Sequence, residues 1–255
     1  MGKNSAISWT HHTFNSWWGC QRVSEGCRNC YAADLAKRYG HPDLWTTDAR
    51  RVMSEAHWRG PLKWARDAAA AGERHRVFCG SMMDWAEDHP LAARLRPRLW
   101  DLIRATPALD WLMLSKRADR IASCLPPDWG DGWPHVWLGT TVEHAVTAWR
   151  LLELLRVPAR VRFVSYEPAL GPLDAVELGG LDWLIYGGES GPKHRPDDDD
   201  WCRALIPRCR DLGIALWRKQ GAGAYSGLHV ELDGNTIHEL PSRRWTPNQT
   251  AARAE

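Results

Sequence analysis

Val77-Phe78-Cys79-Gly80-Ser81-Met82-Met83-Asp84 joins a short apolar run to a polar, glycine-containing cluster, and the same join recurs along the chain. Trp111 to Leu114 runs into Ser115-Lys116-Arg117, and Val136 to Leu138 into Gly139-Thr140-Thr141-Val142-Glu143. Val161 to Val164 runs into Ser165-Tyr166-Glu167-Pro168, Trp183 to Tyr186 into Gly187-Gly188-Glu189-Ser190-Gly191, and Ile214 to Trp217 into Arg218-Lys219-Gln220. Continuous apolar runs of this length read as strands buried on both faces. Between them, Pro90 to Arg104, Glu143 to Arg156 and Asp197 to Leu212 carry helical spacing. Strand and helix in alternation predict a parallel sheet with crossover helices. A short first strand is expected at Ile7 to Thr10 and a helix from about Asn29 to Tyr39. The expected class is therefore α/β: a parallel β/α barrel, partial or TIM-like, with a doubly wound open sheet as the alternative.

In such a barrel, the loops after the strand C-terminal ends build the active face. Asp84, Lys116, Arg117, Glu143, Glu167, Glu189 and Lys219 all fall at those ends. One barrel-like domain is expected over residues 1–228. A β-hairpin is expected over 229–240, where Asp233-Gly234 is a turn signal, and a flexible polar tail over 241–255. Asp197 to Asp200 reads as an N-terminal charge cluster of the following helix.

Composition narrows the class. The chain has 33 Lys and Arg against 31 Asp and Glu, a net charge of +2 that does not advertise a polyanion partner, although 17 tryptophans and abundant arginine suit nucleobase stacking. Seven cysteines in 255 residues are odd in number and do not suggest a disulfide framework. The N-terminus lacks a long apolar segment and no run of about 18 apolar residues occurs, so a cytoplasmic protein without a membrane partner is expected.

Three of the cysteines are grouped: Cys20, Cys27 and Cys30, spaced C-x6-C-x2-C between the first expected strand and helix. Zinc takes four ligands in structural sites, so Zn2+ here requires a recruit such as His11, His12 or Cys79. A [4Fe–4S] cluster on three thiolates instead keeps one iron open for a ligand. Inert thiols are the third reading.

Trp9-Thr10, Trp17 to Tyr31, Ser81 to Asp84, Val136 to Gly139, Val142-Glu143, Arg162 to Ser165, Glu167-Pro168, Gly187 to Gly191, Lys219-Gln220 and Glu231 to Gly234 resemble the three-cysteine-motif proteins of bacteriophages and bacteria. The cysteine loop and barrel-like order of that family resemble radical S-adenosylmethionine enzymes. The resemblance implies a [4Fe–4S] cluster on Cys20, Cys27 and Cys30, with S-adenosylmethionine as cofactor. It also implies reductive cleavage to a 5′-deoxyadenosyl radical that takes hydrogen from a substrate, for which nucleic acid or a nucleotide is the class expected. An electron donor such as a flavodoxin or ferredoxin would be the partner. A non-catalytic zinc- or Fe–S-stabilised binding module is the alternative.

The usual radical-enzyme spacing is C-x3-C-x2-C, so the first gap here is three residues longer. The residue before the third cysteine, often aromatic, is Asn29, which leaves Tyr31 as the expected adenine support. Two segments are candidates for the methionine moiety: Gly80, Ser81 and Asp84, or Gly187, Gly188, Glu189 and Ser190. Glu143 and Glu167 are expected to meet ribose hydroxyls or substrate, and Arg117 and Lys219 a carboxylate or phosphate.

Overall fold

The computed structural model describes residues 3–242, so the expected tail lies almost wholly outside the described residues. Seven parallel strands form one curled sheet, a half-barrel, in the order β1 (His12–Phe14), β4 (His75–Cys79), β5 (Leu109–Ser115), β6 (Val136–Thr141), β7 (Val161–Tyr166), β8 (Trp183–Gly187) and β9 (Ala215–Gln220). A two-strand antiparallel ribbon of β2 (Trp17–Trp18) and β3 (Arg51–Val52) stands apart from the sheet. The helices are α1 (Tyr31–Arg38), α2 (Glu55–Ala70), α3 (Pro90–Arg104), α4 (Trp149–Leu155) and α5 (Asp199–Leu212).

Alternation along each strand divides the core in two. Val77, Cys79, Trp111, Met113, Val136, Leu138, Val164, Leu184 and Leu216 pack with the helices. Phe78, Leu112, Trp137, Phe163, Trp183, Ile185 and Trp217 fill the opposite, concave face together with Trp9. Gly139 is needed there, because a Cβ at that position would stand 2.3 Å from the Phe163 ring. The tryptophans inside the half-barrel are thus packing groups, and Trp9, Trp137, Trp183 and Trp217 are not available as surface stacking platforms.

Three local expectations change. The first strand is His12–Phe14 rather than Ile7 to Thr10. Ile7 and Trp9 instead pack into the concave core, and the Thr10 hydroxyl accepts the Phe78 amide and donates to the Arg76 carbonyl. The expected hairpin is a tight turn only: Asp233 and Gly234 both have positive φ, flanked by the single bridge Leu232–Asn235. His238 then bridges to Trp217 of β9 rather than extending a ladder of its own. The helix expected from Glu143 begins later, at Trp149, after a 3-10 turn capped by His144. Among the described residues, no helix is long and apolar enough to cross a membrane.

Candidate functional site

The strand C-terminal ends and the cysteine loop meet around a cleft of about 1120 Å³, part of it open to solvent. Cys20, Cys27 and Cys30 all line it, as do Tyr31, Gly80, Ser81, Asp84, Lys116, Arg117, Glu167, Glu189, Ser190 and Lys219. Its apolar floor is Ile7, Trp9, Phe78 and Leu114, the upper rim of the concave core. Most of the residues singled out from the sequence therefore share one space.

The local sequence explains how the cysteine loop is delivered. Trp17 and Trp18 pair with Val52 and Arg51, and Gly19 follows with φ of 118° and an amide donated to the Met82 carbonyl at 3.0 Å. A side chain at Gly19 would meet Arg50 and the Leu44 and Ala49 carbonyls within 2.9 Å, so only glycine lets the chain turn into Cys20 there. Cys30 ends the loop as the residue that precedes α1.

Three buried polar groups fasten that loop to the sheet. From the end of β5, Arg117 donates through Nη1 to Asp84 at 2.9 Å and to the Cys20 sulfur at 3.7 Å, and through Nη2 to the Gln21 carbonyl at 3.0 Å. After β6, Glu143 is fully buried and accepts from Lys116 at 2.9 Å, Arg150 at 2.9 Å and the Ser24 hydroxyl at 3.3 Å. Its side chain fills the space beside Gly26, where a Cβ would stand 2.6 Å away. After β8, Glu189 accepts from Asn29 Nδ2 at 2.9 Å and from Arg195 at 2.5 Å, and Arg195 reaches on to Glu25 at 3.3 Å.

Electrostatics follow from that burial. Desolvation alone would raise the Glu143 carboxyl, but Lys116 and Arg150 overcome it and hold the pKa at about 2. Burial would lower Lys116, yet Glu143 keeps it above the ordinary lysine range. For Arg117, burial is outweighed mainly by Asp84, and the guanidinium is held firmly charged. Burial pushes the Cys20 thiol up, with Asp84 adding to it, and burial likewise raises Cys30. Beneath the loop, Arg50, Lys116, Arg117 and Arg150 face Asp84, Glu87 and Glu143. Each of these cations contacts a carboxylate, and Lys116 and Arg150 share Glu143.

Not every expected residue reaches the cleft as a free group. Asp84 is committed to Arg117, the Ser115 hydroxyl at 2.6 Å and the Lys116 and Ala86 amides. Gly187 and Gly188 do not line the cleft: a Cβ on Gly188 would strike the Ala222 amide at 2.1 Å, and one on Gly187 would crowd Glu167. Glu167 and Lys219 form a direct ion pair on the wall. Tyr31 is partly exposed and donates its hydroxyl to the Ser81 carbonyl at 3.0 Å.

The fourth zinc ligands considered from the sequence are not grouped with the cysteines. His12 opens β1 and pairs with His75 at 3.1 Å, at the opposite end of the sheet, and Cys79 is buried on the helix-facing side. Among the described residues, no three His, Cys, Asp or Glu side chains form a group that could hold a metal ion. Sequence reasoning missed Glu87, Arg50, Arg150 and Arg195. Glu87 lies one turn past Asp84 and carried a faint signal; the others owe their place to loop convergence.

A family model for a protein of unknown function, DUF5131, matches residues 4–245. The chain belongs to this family. The span matched by DUF5131 contains the cysteine loop and every strand of the sheet. No curated protein and no solved structure matches the chain.

Proposed function

We propose that this protein is an iron–sulfur enzyme of radical S-adenosylmethionine type, with Cys20, Cys27 and Cys30 as the cluster ligands. The observation that carries the reading is one cleft lined by three thiols free of disulfides, with the Arg117 guanidinium 3.7 Å from the Cys20 sulfur. A guanidinium so placed would complement the negative charge of a thiolate–metal group. A single zinc ion with Zn–S bonds of about 2.3 Å needs its ligands gathered tightly. In a cubane each thiolate binds a different iron, and Cys20, Cys27 and Cys30 all line the one cleft.

Cys20, Cys27 and Cys30 would hold the cluster, which would supply one-electron reduction of bound S-adenosylmethionine. The chain's own residues have separate tasks. Arg117, Glu143 and Glu189 hold the loop. Ile7, Trp9, Phe78 and Leu114 give the cofactor an apolar floor that excludes water. Tyr31 and Ser81 would offer polar contacts near the ends of α1 and β4, and Ser190 with the Lys219–Glu167 pair would do so near the ends of β7, β8 and β9. A nucleotide or nucleic acid is the substrate class to try first, because Arg22 and Arg28 on the loop, and Lys193 whose carbonyl accepts Asn29 at 2.7 Å, form no ion pair among the described residues. A low-potential flavodoxin or ferredoxin would serve as donor, in the cytoplasm.

The test is anaerobic incubation of reconstituted protein with S-adenosylmethionine and dithionite. Formation of 5′-deoxyadenosine that is lost in Cys27→Ala is expected. A fully loaded protein that forms none, with or without nucleotides and oligonucleotides, would reduce the role to a metal-stabilised binding module.

A further inference from the structure

Arg117 is the one cation of the buried set whose guanidinium touches a cysteine of the loop. Lys116 donates to Thr141 and Glu143, Arg150 to Glu143 and the Thr141 carbonyl, and Arg50 to Glu87 and nearby carbonyls. Arg117 alone places a nitrogen 3.7 Å from Cys20 Sγ.

Its orientation is fixed from behind. Asp84 accepts its Nη1 at 2.9 Å and is itself held by the Ser115 hydroxyl at 2.6 Å and two backbone amides. Glu87 stands 3.4 Å from Nη2 and is anchored by a two-donor contact with Arg50, both side chains being 1% exposed. The remaining Nη2 bond, to the Gln21 carbonyl at 3.0 Å, seats the first residue after the cysteine. A planar fork held at three points cannot swing away from the sulfur as a lysine would.

We infer that Arg117 is a positioning and potential-setting residue: it orients Cys20 and, by a charge-assisted hydrogen bond to that sulfur, raises the reduction potential of a cluster held there. The inference rests on the preceding reading that the three cysteines carry an iron–sulfur cluster. Reduction adds negative charge, and a donor to a ligand sulfur together with a nearby buried cation favours the more negative state. Asp84 opposes that effect, since it sets a carboxylate against the same guanidinium. The pair therefore predicts shifts of opposite sign, which damage to packing would not produce.

The experiment is a redox titration of reconstituted full-length protein, followed by electron paramagnetic resonance, in wild type, Arg117→Gln, Arg117→Lys and Asp84→Asn, each with iron content measured first. Arg117→Gln is expected to make reduction roughly tenfold less favourable, a fall of about 59 mV for a one-electron couple. Arg117→Lys should recover part of the loss, and Asp84→Asn should move the potential upward. An Arg117→Gln potential equal to or above wild type, or an Asp84→Asn shift in the same direction as Arg117→Gln, overturns the inference. If Arg117→Gln takes up no iron, Arg117→Lys and Asp84→Asn decide by the same signs. Wild type that binds no iron sinks the cluster reading itself, whereas iron-loaded variants with unmoved potentials sink only the role of Arg117.

Discussion

Glu143→Gln probes the joint between sheet and cysteine loop. The carboxylate is fully buried between Lys116 and Arg150 and faces Gly26 of the loop. Glutamine keeps the shape but removes the charge that two buried cations share. Breaking a buried pair by removing one partner typically costs about 3–5 kcal/mol. A second route gives a similar size, because a carboxyl held at about 2 instead of 4.5 corresponds to roughly 3 kcal/mol at neutral pH. The sign is fixed: a depressed folded-state pKa stabilises the fold above pH 4.5, and the gain disappears as pH falls toward 2. The assay is urea unfolding of the full chain at pH 7 and at pH 3, with Glu143→Gln and the double variant Glu143→Gln, Lys116→Met beside wild type. We expect a loss of about 3 kcal/mol at pH 7 that shrinks at pH 3, with part of it restored in the double variant because one stranded cation is gone. A loss below about 1 kcal/mol at pH 7, or one that grows at pH 3, would refute the assignment of Glu143 as the buried anchor.

Two further outcomes follow from the geometry. Glu189→Gln should loosen the loop at its other end, where Asn29 and Arg195 converge; limited proteolysis should then cut between residues 22 and 30 in the variant, and equal resistance in both proteins would count against the clamp. At the opposite end of the sheet, burial and then His75 and Lys3 hold His12 down to about 4, so its neutral form is the folded one. As pH falls from 6.5 to 4 the unfolded chain takes the proton first, and stability should drop by roughly 2–3 kcal/mol; His12→Gln should flatten that slope, and an unchanged slope would remove His12 as its source.

Much of the sheet was readable because strands buried on both faces are written as apolar runs. The runs starting at Val77, Trp111, Val136, Val161 and Trp183 each lie within a strand, the run from Ile214 to Trp217 enters β9 at Ala215, and α3 spans the interval expected for it. The first strand was misplaced for a physical reason: Ile7 and Trp9 are apolar because they fill the concave core, not because they pair. Helix α2 went unread because Gly60-Pro61 falls inside it, a pair that ordinarily breaks helices. The cleft was legible as a set of strand-end polar residues, but not their partition into roles. Asp84 and Glu143 read as ligand-binding acids, and only the spatial meeting with Arg117, Arg150 and Gly26 shows them committed to holding the loop. Pairings between residues seven to more than a hundred positions apart leave no periodic trace in one sequence.

The most direct test of the central claim is the metal content of anaerobically reconstituted protein, measured as iron, acid-labile sulfide and zinc per chain, with Cys27→Ala as control. A cluster on the three cysteines predicts about four iron and four sulfide per chain, lost in the variant. About one zinc per chain with neither iron nor sulfide would contradict it.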